Sequence, residues 1–187
     1  VEHNYTRARA LSEEAGEKRS LFEAVWGLAN YHQARGHLGL AEDLGRQLVE
    51  MAAEIADPQL APWAHLQFGG PKFWSGEYAA SLARLERSIA SYDAEQYRFL
   101  PGGPDPCVAS RAYAALCLWQ LGRSREALEA SRAAIQQARE LRHAFSLGIA
   151  LCFTGSLHQL RGDPKAALEV ANEVIPLATD HGFPLWR

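Results

Sequence analysis

The histidines and cysteines are the residues of this chain best suited to catalysis or metal binding, and their spacing supports neither. The histidines include no HExxH motif and no pair four residues apart, the spacing that puts two metal ligands on one helix face. Cys117 and Cys152 fall inside apolar runs, where a thiol packs as a small hydrophobic side chain. We therefore expect a chain that is not an enzyme, with no catalytic residue, cofactor or metal ion.

The amino-acid composition limits the classes of protein to which this chain can belong. Apolar residues make up 48% of the chain and charged residues 22%, which is typical of a folded domain. The net charge is −3 and Lys and Arg do not cluster, so we expect no nucleic-acid partner. No run of 18 apolar residues occurs, so we expect no membrane span. The scattered cysteines suit the reducing cytoplasm rather than a disulfide framework.

The elements that must position any functional residue belong to a repeat. Four glycines, spaced 40 to 46 residues apart, each separate two apolar helical segments: Gly36, Gly76, Gly122 and Gly162. A small residue follows each glycine after five positions: Ala41, Ser81, Ala127 and Ala167. Glycine reverses the chain at positive φ, and the small residue lets the two helices approach closely. The pattern predicts an all-α fold, a helical array of antiparallel helix pairs.

A second set of landmarks supports this register. Helices are predicted to end near Gly16, Ala56, Arg142 and Gly182, and a turn glycine follows each of the first three 20 residues later. The predicted array spans residues 1–187, with an orphan second helix and four helix pairs: 3–15, 18–55, 59–92, 105–141 and 144–181. Ser124 and three Asp-Pro steps provide helix-capping residues: Asp57-Pro58, Asp105-Pro106 and Asp163-Pro164. Both ends look cut, so we interpret the chain as a fragment of a longer protein.

An inserted loop, residues 93–104, interrupts the regular spacing. Inserted loops on a repeat scaffold often carry function, and Tyr97, Arg98, Phe99 and Asp105 could reach over a binding face. In the simpler interpretation, which we favour, Phe99 fixes the loop to the next helix and Asp105 only caps that helix.

Three segments resemble the turn and second helix of tetratricopeptide repeats: RGHLGLAEDL, LGRSREALEASRAAI and RGDPKAALEVANEVI. The long period and the C-terminal half are similar to repeats of bacterial signalling proteins that join a cyclase or kinase domain to an AAA-type ATPase. Pro104 departs from that pattern, and Pro71 and Pro176 interrupt helices that are usually unbroken. No GxxxxGK[ST] loop occurs, so no catalytic residue is carried over.

The resemblance implies a right-handed superhelix, an α-solenoid whose concave face is lined by the first helix of each pair. On this sequence the face would combine aromatic rings with amides, which suits an extended peptide better than a carboxylate clamp. Its members would be Trp26, Asn30, Gln33, Trp63, Gln67, Phe73, Tyr113, Trp119, Gln120, Phe153, Ser156 and Gln159. Alternatively, rings such as Trp26, Tyr113 and Phe153 fill the seam between neighbouring pairs.

Two functions follow from this interpretation. The first is a protein-interaction or sensory scaffold of a bacterial signalling protein, which binds a peptide, a partner domain of its own chain, or a second copy through its cut ends. The second is a small-molecule effector domain that controls oligomerisation or an attached catalytic domain. A dry aromatic pocket would favour the second function over the first.

Overall fold

A computed structural model describes residues 1–94 and 103–183. These residues form α-helices and no strand: α1 Glu2–Ala15, α2 Lys18–Ala34, α3 Leu38–Ile55, α4 Leu60–Trp74, α5 Tyr78–Ala90, α6 Pro106–Gln120, α7 Ser124–Glu140, α8 Ala144–Leu160 and α9 Pro164–Asp180. The orphan helix and each helix pair begin and end within two residues of their predicted ranges. The prediction of an all-α fold is therefore confirmed. None of the described helices combines the length and the apolar character needed to cross a membrane.

The chain divides into two compact units, Val1–Tyr97 and Arg98–Arg187. Unit 1 contains α1 followed by the pairs α2/α3 and α4/α5, and unit 2 contains the pairs α6/α7 and α8/α9. Within unit 1, α3 packs against α4, and α2 also contacts α4. Within unit 2, α7 packs against α8, and α6 also contacts α8. Inside each unit, then, helix pairs pack in chain order.

The predicted turns have the expected backbone conformation. All four turn glycines have positive φ, between 68° and 81°. In each turn the residue after the glycine donates its N–H to a carbonyl five residues earlier, as His37 does to His32 at 2.9 Å. This bond closes the end of the first helix and starts the second. The helix ends at Ala56 and Arg142 also have positive φ, 56° and 52°, although neither residue is glycine.

Two positions after each turn glycine determine how closely the helices approach. At the fifth position, the Ser81 hydroxyl donates to the Gly69 carbonyl at 2.8 Å, which joins α5 to the first helix of its own pair. At the ninth position, Ser131 and Thr154 share a hydrogen bond of 2.7 Å, which joins α7 to the next pair. The fifth position therefore packs within its pair at Ser81, and the ninth packs against the next pair at Ser131.

The predicted caps are confirmed at two of four places. Asp105 accepts from the N–H of Val108 at 2.8 Å, and Asp163 accepts from the N–H of Ala166 at 3.1 Å. Asp57 instead accepts from the N–H of Gln59 before α4 begins, so it stabilises the preceding turn. Ser124 is the first residue of α7 and does not cap it.

The two internal prolines do not interrupt their helices, contrary to the prediction. Pro71 lies within the continuous α4, and Pro176 within the continuous α9. A proline lacks the N–H that would bond four residues back, so Pro71 leaves the Gln67 carbonyl without that helical partner. Each proline lies within the last two turns of its helix, and both helices remain continuous without this hydrogen bond.

The inserted loop, residues 93–104, lies mostly outside the described residues, and so do Tyr97, Arg98 and Phe99. Asp105, which follows it, is fully buried. The proposed reach of this loop over a binding face therefore stays a prediction.

Candidate partner-binding surface

The clearest grouping of predicted site residues lies in unit 1, between α2 and α4. The rings of Trp26 and Trp63 meet edge to face, with centroids 5.2 Å apart. Gln67 lies one helical turn beyond Trp63 on α4, and only 4% of it is exposed. Gln33 of α2 approaches the α4 backbone so closely that a Cβ on Gly70 would stand 2.6 Å from its Oε1. We call Trp26, Trp63, Gln67 and Gln33 the tryptophan cluster.

Two hydrogen-bond donors of the tryptophan cluster are buried without an acceptor. Neither Nε1 of Trp26 nor Nε2 of Gln67 has a hydrogen-bond partner in the protein. A buried donor without a partner costs roughly 1–3 kcal/mol, so native structures contain few of them. This arrangement makes the cluster a place where a ligand acceptor would be stabilised.

The other predicted residues of unit 1 have local partners. The Asn30 amide donates to the Trp26 carbonyl within α2 at 3.0 Å. Phe73 packs edge to face against Trp74 and Tyr78, at centroid distances of 5.0 and 5.8 Å. Phe73 therefore belongs to an aromatic group at the α4–α5 turn, where Trp74 is 56% exposed.

In unit 2 the predicted residues form a looser set. The half-buried rings of Tyr113 and Phe153 lie 4.5 Å apart between α6 and α8. Phe153 also packs against the core formed around Val108, Ala134 and Ile149, as the seam interpretation predicted for such rings. At least part of the Tyr113 and Phe153 ring surface is therefore packed inside unit 2.

The remaining predicted residues of unit 2 are mostly open to solvent. Trp119 is half-buried and Gln120 is exposed at the end of α6. The exposed Ser156 donates to the Cys152 carbonyl of its own helix at 3.1 Å. Gln159 lies by the α8–α9 turn, where it lines a cleft of about 470 Å³ together with Leu168.

A buried polar network at the start of α6 was not foreseen from the sequence. The Asp105 backbone N–H donates to the Ser146 hydroxyl at 2.7 Å, and the same hydroxyl lies 2.7 Å from Nδ1 of His143. Burial lowers the pKa of His143, while the nearby Asp105 acts in the opposite direction. Ser146 is fully buried, so the Asp, Ser and His side chains stabilise the helix start and do not form an accessible nucleophile.

The thiols of Cys107 and Cys152 are poor nucleophiles. Burial raises the pKa of Cys152 to about 11 and also raises the pKa of Cys107. A thiol with a raised pKa is almost entirely protonated at neutral pH, and the thiolate is the reactive form. No cluster of three or more His, Cys, Asp or Glu suited to a metal ion occurs in residues 1–94 and 103–183.

A second cleft of about 390 Å³ lies in unit 1, on the side of α3 and α4. Alanines make up half of its lining residues, and Asp57, His65 and Arg87 add polar groups. Nδ1 of His65 is buried without a hydrogen-bond partner. Burial, and then the charges of Arg84 and Arg87, lowers the pKa of His65.

The lowered pKa of His65 predicts that unit 1 loses stability in acid. Unfolded histidine takes up a proton below about pH 6.5, whereas folded His65 stays neutral to a lower pH. Between these two pKa values the unfolded chain binds more protons, so stability falls as the pH falls. We expect the urea midpoint to drop between about pH 7.5 and about pH 5.5, and His65→Leu to reduce that drop.

The matched control for this pH effect is His181→Leu, because His181 is exposed after α9. It should leave the drop in the urea midpoint as large as in the unchanged chain. If the urea midpoint of His65→Leu drops as much as that of the unchanged chain, His65 is not the cause of the pH effect. Leucine suits the site because two of the three repeat-equivalent residues, Val25 and Leu151, are buried and apolar, the third being Arg111.

Comparison with solved structures assigns the fold. This chain has a TM-score of 0.63 to a crystal structure of TPR-like repeats from Podosopora anserina. Those nearly identical repeats belong to a kinesin light chain-like protein and carry a single substitution. At 16% sequence identity, the match covers 97% of this chain and 86% of that one. A second crystal structure with the same description has a TM-score of 0.60 at 18% identity, covering 96% and 86%.

The fold is therefore that of a tetratricopeptide-like α-solenoid built from helix pairs. No family model matches the chain, and no curated protein matches it.

Proposed function

We propose that this chain is a protein-interaction module that binds an extended peptide or a partner domain on the faces of its first helices. The tryptophan cluster of unit 1 is the proposed centre of that contact. The half-buried Trp26 would cover an apolar side chain of the partner, while Trp63, which is 1% exposed, packs against it from within the protein. The single observation that carries this proposal is the pair of buried donors, Trp26 Nε1 and Gln67 Nε2, which have no acceptor in the protein.

Backbone carbonyls of an extended peptide are the acceptors that best fit these donors. A peptide carries one carbonyl per residue, and amide side chains on a groove wall commonly bond to such groups. The predicted face carries few charged residues, so main-chain recognition fits it better than capture of a terminal carboxylate. The other predicted residues, from Asn30 to Gln159, would extend the contact within each unit.

The wider setting of the module is part of the proposal. Its likeness to repeats of bacterial signalling proteins supports a regulatory scaffold without enzymatic activity of its own. Cys107, Cys117 and Cys152 form no disulfide bond with one another, which fits the cytoplasm. The partner would be a protein or peptide, including another domain of the same chain or a second copy, and neither a nucleic acid nor a membrane.

Selection of peptides from a displayed library tests the proposed face. Peptides selected on the unchanged chain should bind at least about tenfold more weakly to Gln67→Met and to Trp26→Phe, a loss of about 1.4 kcal/mol. Methionine nearly conserves the volume of glutamine, and phenylalanine keeps an aromatic ring but removes the N–H. Because Gln67→Met removes a buried donor without a partner and nearly keeps the side-chain volume, its urea midpoint should stay the same or rise. Trp26→Phe also loses ring surface packed against Trp63, so its affinity is measured at a urea concentration and temperature where it is fully folded.

Gln136→Met is the matched control, since Gln136 is an exposed amide on α7, outside the predicted face. It should leave the affinity of peptides that contact the tryptophan cluster unchanged. Selected peptides that bind Gln67→Met and Trp26→Phe as tightly as the unchanged chain would show that the tryptophan cluster is not the binding site.

The cleft beside His65 supports the second function, an effector-binding domain. Its volume of about 390 Å³ would hold a small molecule, and Arg87 offers a positive charge at its edge. Its walls are alanine-rich rather than aromatic, so it differs from the pocket that the sequence analysis associated with this function. A thermal-shift screen against a metabolite panel tests it: stabilisation that Arg87→Gln removes would favour an effector domain over a peptide module.

A further inference from the structure

We propose that His32 and His37 form a binding site for a divalent transition-metal ion at the turn between α2 and α3. Their Nδ1 atoms face each other at 3.3 Å. Two nitrogens bound to one tetrahedral zinc ion at about 2.0–2.1 Å stand about 3.3–3.4 Å apart. The two imidazoles thus already have the separation that a single tetrahedral ion requires. An N–H···N hydrogen bond fits the same distance, and the experiment below separates the two.

The turn itself holds the two side chains together. The His37 N–H donates to the His32 carbonyl at 2.9 Å, and Gly36 between them has a φ of 76°. The same turn in the next helix pair brings Lys72 and Glu77 together in an ion pair of 3.2 Å. These two positions are therefore neighbours because of the repeat, whatever residues occupy them.

The replacement of an ion pair by two imidazoles changes what the turn can bind. Two histidines offer two neutral nitrogen donors, which suit borderline metal ions such as Zn²⁺, Ni²⁺ and Cu²⁺. Mg²⁺ and Ca²⁺ prefer oxygen donors and should not bind. His32 also lies in the last turn of α2, where the carbonyl end of the helix favours a cation.

The protein provides two ligands, because no third His, Cys, Asp or Glu among the described residues completes a cluster with them. Water, or a donor from a bound partner, would fill the remaining coordination positions. His37 is exposed, so both the ion and such a donor can reach the site from solvent.

Titration of the full chain with ZnCl₂ and with NiCl₂ tests the site by calorimetry. We expect one saturable site per chain, which is absent with MgCl₂ and lost in His32→Gln and in His37→Gln. Glutamine keeps a polar side chain but lacks the imidazole nitrogens. In the unchanged chain, Zn²⁺ should shift the Nδ1 resonances of both His32 and His37 in ¹⁵N NMR spectra, which needs no variant.

His158→Gln is the matched control. His158 has the same position in the last pair, but its Nδ1 lies 3.2 Å from an Arg161 nitrogen, and Asp163 stands where His37 does. Zinc binding should be unchanged in this variant. Absence of saturable binding, or binding that survives both His32→Gln and His37→Gln, would overturn the proposal and leave the pair as a hydrogen bond. Neither result depends on whether the tryptophan cluster binds a peptide.

Discussion

Gly45→Ala should lower the free energy of unfolding by about 1–3 kcal/mol, the cost of overpacking a close contact. A Cβ on Gly45 would stand 2.7 Å from the Cα of Phe68 and 2.9 Å from the carbonyl oxygen of Gln67. Both are backbone atoms of α4, so they cannot rotate away as a side chain can. The α3 and α4 helices would have to separate, and buried side chains such as Leu48 would lose contacts.

The matched control is Gly39→Ala in the first turn of the same helix. A Cβ on Gly39 meets nothing within 4 Å. There the better helix propensity of alanine should raise stability by up to about 1 kcal/mol. Urea unfolding followed by far-UV circular dichroism should therefore show opposite shifts for the two variants. A stabilised Gly45→Ala would mean that α3 and α4 do not approach as closely as the structure shows.

Gly45 belongs to a packing contact that the sequence pattern did not predict. The fifth position after each turn glycine was recognised as small, and Ala41, Ser81 and Ala127 are fully buried. The ninth position was not recognised, although Gly45, Ser131 and Ala171 are small there too. Leu85 breaks that second series, and it packs within its own pair against Gly69. Only the contact between consecutive pairs explains why Gly45 must be small, and that contact depends on tertiary structure.

The helices themselves could be predicted because their signals are local. Turn glycines, Asp-Pro steps and apolar spacing act within a few residues, so the helix ends were located to within two residues. Asp57 was the wrong choice as a cap for a local reason as well, because its carboxylate accepts from Gln59 in the preceding turn. Capping chemistry and turn chemistry use the same residue types, so the sequence could not separate them.

The site residues could be predicted only in part, because their roles depend on what lies opposite them. That Gln67 lacks an acceptor follows from the packing of α2 against α4, which no single helix reveals. His32 and His37 are five residues apart, so a search for ligands four residues apart on one helix passes over them. Their proximity comes from the turn, and the Lys72–Glu77 ion pair at the equivalent turn shows the same geometry.

Ala127→Leu should lower the stability of unit 2 by about 1–3 kcal/mol, because a larger side chain would overpack the α6/α7 contact. Ala127 is fully buried. Its repeat equivalent, Ser81, bonds to Gly69 of its own first helix at 2.8 Å. The residue of α6 that corresponds to Gly69 is Ala115, which is 1% exposed. Two alanines thus face each other where the helices approach, and leucine would hold them apart.

Glu129→Leu separates this packing effect from any general effect of leucine in α7. Glu129 lies two residues further along and is exposed, so the change should stay within about 0.5 kcal/mol of the unchanged chain. Leucine and alanine are both good helix formers, so helix propensity does not account for the expected loss at Ala127. The urea midpoint of unit 2 measures both variants. An unchanged midpoint in Ala127→Leu would show that the fifth position does not face the first helix of its pair, and the repeat register would then be wrong.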